Sequence, residues 1–325
     1  MSSVRRKSFL SRASSQLSFR SVKSRFSAFS GGSQKRRPSI HEIQVTVDQV
    51  KPHVFRAIED DPHLFHPKDV EKLKNADTFI QRFINEHQDW KKNNWEEIVS
   101  LVIESLKWRK DFGINDLNRK MFPREFYDLK VFVYGQISPK DFMVYFKARR
   151  FRKIEGASER IMQFAIWCFE SLSDEFGDDL KWSSFADLSG CGLSQVDFPL
   201  FMKAIPILLK NFPDIAEHGY LYELPWILKP IAKVVMACLP VKYNDMVTFC
   251  SKSDFLQKVP NNKLPDFLGG PVKTREFEPC EDCVTLEEAA AEIGMTPEQI
   301  KKTRKTIDEM IADVRREEKK SGQKA

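Results

Sequence analysis

The 325-residue chain lacks the parts from which most enzymes are assembled. Gly190-Cys191-Gly192 continues as Leu-Ser-Gln, so it makes neither a GxGxxG dinucleotide turn nor a GxxxxGK[ST] phosphate loop. No GxSxG elbow occurs, and there are only six histidines. His218 alone falls among the candidate strands, which leaves a Ser-His-Asp hydrolase without a base. His53, His63, His66 and His87 stand in Pro- and Asp-rich loops without HxxxH or HExxH spacing, so they are read as loop polarity and not as metal ligands. Cys280-Glu281-Asp282-Cys283 is a single CxxC with no second pair or nearby His; a structural role is favoured, with zinc or redox chemistry as alternatives. No catalytic residue, cofactor or metal is assigned, and the chain is read as a non-enzyme.

Long apolar runs are also missing. No stretch of about 18 uncharged apolar residues occurs, and the N-terminus has no apolar signal core, so neither a membrane span nor secretion is expected. The six cysteines mostly fall inside apolar runs, the usage of buried thiols in a reducing compartment. A cytoplasmic location follows, with peripheral membrane association open.

Acidic residues are absent from residues 1–40, which hold ten Lys or Arg and thirteen Ser; beyond them 42 bases face 46 acids. The body is mildly acidic and shows no basic, aromatic-interleaved element, so nucleic acid is not an expected partner. The tail itself is expected to be disordered. Phe19, Val22, Phe26 and Phe29 recur at helical spacing among bases, a pattern suited to an anionic membrane surface. Ser8 and Ser39 each follow paired arginines and are phosphorylation candidates. A mitochondrial transit peptide and a merely solvated tail fit the same composition.

What is present is apolar bulk: 42% hydrophobic residues, with 26 Phe. From Val45 to about Asn118 the periodicity is helical, and Trp95, Ile98, Val99, Val102 and Leu106 form one stripe. After Pro123 short apolar runs at 129–134, 142–146, 182–188, 220–223 and 246–249 alternate with helical stretches. That alternation implies an α/β fold with a largely parallel sheet. Thr285 and Thr296-Pro297 mark two helix starts, the last carrying Ile300, Ile307, Ile311 and Val314 and docking on the body or on a partner. The expected organisation is a tail (1–40), a helical module (41–120), an α/β domain (121–278) and a helical extension (279–325).

One segment resists an ordinary reading. Residues 225–239, PWILKPIAKVVMACL, would rise about 22 Å as a helix, short of the roughly 30 Å of a bilayer core. Its apolar arc gathers Ile227, Leu228, Ile231, Val234, Val235, Cys238 and Leu239, leaving Trp226, Lys229 and Lys233 on the other side. Pro230 either kinks this helix or falls within its tolerated start.

Several stretches resemble, in order, the signatures of the CRAL-TRIO, or Sec14-like, lipid-binding family: Ser184-Phe-Ala-Asp-Leu-Ser-Gly190, Asn211-Phe-Pro-Asp214, Leu224-Pro-Trp226 and Leu264-Pro-Asp-Phe-Leu-Gly-Gly270. Ile114 to Asn118, Pro225-Trp226 and Phe249 to Lys252 are similar to the subgroup represented by motile sperm domain-containing protein 2, although nothing after Gly270 resembles a motile sperm domain. The resemblance implies a mixed sheet flooring a hydrophobic pocket, with flanking helices and a movable lid. The lid would be 226–239, with Trp226, Lys229 and Lys233 toward a membrane. The expected lipid contacts are Phe185, Phe201, Ile205, Leu221, Ile227, Ile231, Val235, Val247 and Phe249, and the expected partners are a lipid and, transiently, a membrane surface. A protein partner through the tail or the C-terminal helix stays open, as does the alternative of an interaction scaffold without lipid exchange. Asp245 stands near the position where phosphoinositide-transferring members carry a lysine; an acid there repels an inositol phosphate, so a more neutral lipid fits as well.

Overall fold

The computed structural model describes residues 45–87 and 94–322. The tail lies outside them, and with it Ser8, Ser39 and every reading of residues 1–40. The chain divides into two compact units between Asn115 and Asp116.

The first unit is helical: α1 (Val47–Asp60), α2 (Pro67–Asn75), α3 (Thr78–His87) and α4 (Trp95–Phe112). Thr46 N–H donates to Gln49 Oε1 at the start of α1. The i, i+4, i+8 spacing of Val50, Val54 and Ile58, and of Ile98, Val102 and Leu106, puts one stripe of each helix into a common core with Ile80, Phe83 and Ile84. Each such burial is worth roughly 1.5–3 kcal/mol. Gly113, at φ 77°, ends α4 in a conformation that other residues resist. The histidines expected in loops do not all lie there: His53 is inside α1, where its ring lies 4.4 Å from Trp95, and His87 ends α3, while His66 Nδ1 accepts from Lys68 N–H at the start of α2.

The second unit is built on six strands: β1 (Phe132–Ser138), β2 (Asp141–Lys147), β3 (Lys181–Asp187), β4 (Ala216–Tyr222), β5 (Val247–Cys250) and β6 (Arg275–Glu276), in the order β5-β4-β3-β2-β1-β6. The pairs from β2 to β5 are parallel, and β1 is antiparallel to both β2 and β6. A short helix α5 (Arg124–Asp128) precedes β1, where the sequence reading began the strand at Leu129. Leu129 and Val131 are buried against Met310, so their apolar character serves a helix contact. Lys130, at φ 48°, breaks the extended run between them.

Three successive crossovers link the parallel strands: α6 (Ser158–Phe176), α7 (Phe198–Asn211) and α8 (Lys229–Cys238), the last followed by α9 (Val241–Asp245). Because each step moves one strand in the same direction, crossovers of one hand return all three helices over the same face of the sheet. The opposite face carries Val133, Tyr145, Phe185 and Tyr220 and is closed by the chain after β5. That chain forms α10 (Phe255–Lys258) and the Leu264–Gly270 turn; Leu264 and, just after the turn, Val272 pack on those rings. Gly269 adopts φ 81°, and a Cβ on Gly270 would stand 2.1 Å from the Leu264 carbonyl oxygen, so the paired glycines are what the turn's backbone demands.

Two further helices, α11 (Leu286–Glu292) and α12 (Pro297–Gly322), complete the unit. Thr285 caps α11 through Glu288, and Thr296 exchanges hydrogen bonds with Gln299 at the start of α12. The last helix docks on the body: Ile307, Met310 and Val314 are buried, and Arg150 and Arg152 reach Glu317, Glu309 and Asp313.

Candidate functional site: an unfilled apolar cleft

In register across the sheet, the helix-covered face presents Tyr134, Val144, Ser184, Gly219 and Val247, and one step on Phe146, Ala186, Leu221 and Phe249. Over β1 and β2 this face is filled, with Phe142, Val144 and Trp182 packed against Leu172 of α6 and Phe169 stacked 4.2 Å from Trp182. From Ser184 onward on β3, and across β4 and β5, it is open. Ser184, in the middle of a central strand, is exposed, Ala186, Gly219, Leu221 and Val247 are half-buried, and Phe249 is 41% exposed. No charged side chain falls in these registers.

The helices that return over this half are apolar yet hold almost no fully buried side chain. In α7, Asp197 caps the start by accepting from Leu200 N–H, and the run FPLFMKAIPILL leaves Asn211 as the helix's buried residue while Leu208 is exposed. α8 has no buried residue, and Val234 is 47% exposed. Globular helices of this composition normally bury a stripe, so an apolar wall opposite a bare apolar floor describes a cleft open to receive apolar matter.

The lid segment sits as follows. A single 3-10 turn, Trp226–Leu228, leads into α8, and Pro230 falls at the helix's first positions, so it is a tolerated start and not a kink. Leu228 is the one member of the apolar arc that is buried, in a cluster with Ala148 and Cys191 on which Ile231 and Phe146 also pack. Trp226, at 78% exposure, Lys229 and Lys233 all face solvent.

Phe201, Ile205, Ile231 and Val235 are half-buried on α7 and α8, Ile227 is exposed at the mouth, and Leu221, Val247 and Phe249 share the bare floor. Phe185, expected among the lipid contacts, does not line the cleft. Strand side chains alternate, and Phe185 points to the far face, fully buried against Tyr145, Tyr220 and Tyr222, while its neighbours Ser184 and Ala186 line the cleft. The sequence reading missed Ser184 and Gly219, although the period-2 alternation around the conspicuous Phe was the signal that could have found them.

Asp214, at φ 50°, places Oδ2 2.7 Å from Lys181 Nζ just before β4, and Asp245 is exposed at the end of α9. Cys191 and Cys250 are buried, which pushes each thiol up to about 11 and leaves both as small apolar groups. Cys280 and Cys283 place their sulfurs 2.9 Å apart in a half-buried turn. Among the described residues no cluster of three metal-ligating side chains forms, and no helix is long and apolar enough to cross a membrane.

Residues 127–270 match the model of the CRAL/TRIO domain. The chain is 24% identical over 205 residues to Sec14 cytosolic factor of Schizosaccharomyces pombe, covering 55% of this chain and 71% of that protein. It is 19% identical over 228 residues to the CRAL-TRIO domain-containing protein C3H8.02 of the same yeast, covering 66% of this chain but only half of that relative. Among solved structures, that of Sfh5 shares the fold with a TM-score of 0.56 at 16% identity, over 81% of this chain and 96% of its own.

Proposed function

We propose that this chain, whose residues 127–270 form a CRAL/TRIO domain of the Sec14-like kind, binds a hydrophobic lipid in the cleft between the bare half of its sheet and helices α7 and α8. The family is one of lipid-binding and transfer proteins, generally without enzymatic activity. The observation that carries the reading is the mismatch between composition and burial: two apolar helices with almost no buried side chain stand over a strand face whose central Ser184 is exposed. Acyl chains would replace the missing packing, at roughly 0.8 kcal/mol for each buried CH₂.

The segment 226–239 is the gate of this proposal. Its inner arc, with Ile227, Ile231 and Val235, would meet the ligand together with Phe201, Ile205, Leu221, Val247 and Phe249. Trp226, Lys229 and Lys233 would meet the bilayer while the gate is open, the indole at the interface and the lysines on anionic headgroups. An acid at Asp245 disfavours an inositol phosphate beside it, so a more neutral lipid or another hydrophobe fits as well as a phosphoinositide. Ile114 to Asn118 and Phe249 to Lys252 support kinship with the motile sperm domain-containing subgroup.

Transfer between vesicles tests the proposal. Purified protein should accelerate movement of a labelled phospholipid or sterol from donor to acceptor vesicles in proportion to its concentration. Failure to move any offered lipid would return the fold to the role of a scaffold that presents surfaces.

A further inference from the structure

Where the chain leaves the sheet it carries a pair of thiols that have no part in the cleft. Between β6 and α11 it turns at Glu281 and Asp282, with Cys280 and Cys283 on either side of the turn, both half-buried and so within reach of small solutes. The corners of a tight turn stand within about 7 Å at Cα, close to the roughly 4.4–6.8 Å that a disulfide spans. Here the two sulfurs are 2.9 Å apart, and moving them about 0.9 Å closer brings them to the roughly 2.05 Å of an S–S bond. The turn is held independently of its thiols: Val284 N–H donates to the Lys120 carbonyl at 2.9 Å, and Lys120 Nζ pairs with the Asp282 carboxylate.

The two sulfurs are not equivalent. Cys283 Sγ accepts from the Cys280 N–H at 3.1 Å and touches the Cys280 thiol, so negative charge on Cys283 meets two donors. Cys280 is held protonated, its thiol pushed up to about 11 by burial and then by Cys283. The Arg119 carbonyl lies 3.5 Å from Cys283 Sγ, but the Tyr127 hydroxyl already donates to it at 2.9 Å, so loss of the Cys283 proton leaves that oxygen satisfied. A sulfur with donors aimed at it beside a protonated partner is the arrangement of an attacking and a resolving thiol. Zinc is served less well: two thiols are half of a tetrahedral set, and among the described residues no cluster of three metal-ligating side chains forms.

We propose that Cys280 and Cys283 form a peroxide-responsive dithiol that closes to a reversible disulfide, with Cys283 as the attacking sulfur and Cys280 as the resolving one. The Cys283 thiolate attacks one oxygen of a hydroperoxide, the O–O bond breaks, and the hydroxide or alkoxide that leaves takes up a proton. The Cys280 sulfur then attacks the sulfenic sulfur of Cys283; the S–S bond forms, the S–O bond breaks, and the oxygen departs as water with the Cys280 proton. Two thiols give up two electrons, and the O–O bond is reduced by the same two. A soluble dithiol reverses the change. Cys168, Cys191 and Cys250 are buried, and Cys238 on α8, half-buried like the pair, is the internal control. None of this draws on the apolar cleft, so its failure leaves lipid binding untouched.

Graded hydrogen peroxide on the reduced full chain at neutral pH, followed by alkylation in denaturant and tryptic mass mapping, tests the site. Both cysteines fall in the single fragment 276–301, so closure reads as the loss of two hydrogens from that fragment, restored by dithiothreitol. Closure is expected at about tenfold less peroxide than oxidises Cys238. In Cys280→Ser, dimedone should trap a sulfenic acid on Cys283, whereas in Cys283→Ser, Cys280 should remain a thiol at the same peroxide. The map of the native chain needs no variant, so it decides the matter even where a substitution disturbs the fold. A fragment 276–301 that keeps both thiols, or gains oxygen without closing, once Cys238 is oxidised would overturn the dithiol. Dimedone on Cys280 of the Cys283→Ser chain would overturn the assignment of roles.

Discussion

Ser184 and Gly219 are paired neighbours on the adjacent parallel strands β3 and β4, and a Cβ added to Gly219 would stand 3.3 Å from Ser184 Oγ. With a hydroxymethyl group and no side chain at all, this pair leaves the deepest part of the cleft floor. Gly219→Leu should fill it, reducing lipid loading about fivefold while costing less than about 2 kcal/mol of stability, because the space above is open. Loading is read by extraction of lipid from protein re-isolated after incubation with vesicles.

The gate lysines make a prediction of opposite kind. Lys229→Glu with Lys233→Glu reverses two exposed charges, each worth about 1 kcal/mol near an anionic surface. Exchange with anionic vesicles should slow by about tenfold or more at low salt, converge with the native rate as salt is raised, and stay unchanged with neutral vesicles. Equal rates on anionic vesicles at low salt would remove these residues from the membrane contact.

In the helical unit, Arg109 Nε donates to Asp69 Oδ1 at 3.0 Å and Asn115 Nδ2 donates to Asp69 Oδ2 at 2.7 Å, with Asp69 and Arg109 both buried. Removing one partner strands the other charge. Asp69→Ala should cost about 3–5 kcal/mol in chemical denaturation, and Asp69→Leu combined with Arg109→Met should recover much of that loss.

The Cys280 thiol is pushed up to about 11, first by burial and then by its hydrogen bond with Cys283. A raised thiol pKa keeps the group protonated, so Cys280 should alkylate slowly near neutrality and accelerate only as pH approaches 11. Peptide mass spectrometry after timed iodoacetamide treatment measures it. Rapid labelling near neutrality would contradict its assignment as the resolving sulfur.

How much was legible in the sequence follows from which interactions are local. Helix starts at Thr285 and Thr296 could be read because capping involves residues three apart. The strand alternation gave the α/β class, and the sheet followed it. Leu129 misled because an apolar residue carries no mark of whether it pairs in a strand or packs on a distant helix, here through Met310. Pro230 could not be settled until the 3-10 turn before it fixed where α8 begins. Phe185 drew notice by size, but the neighbouring residues whose side chains are small or absent make the cleft. The ion pair of Arg150 with Glu317 was invisible, since the two lie 167 residues apart in the chain.

The central claim is that the cleft holds a hydrophobic ligand, and the most direct measurement is the intact mass of the protein purified without detergent. Under native spray conditions the protein should carry about one extra molecule per chain, released as a lipid on organic extraction and diminished in Gly219→Leu. A native mass equal to that of the bare chain, with no lipid in the extract and none gained after incubation with mixed vesicles, would contradict the account.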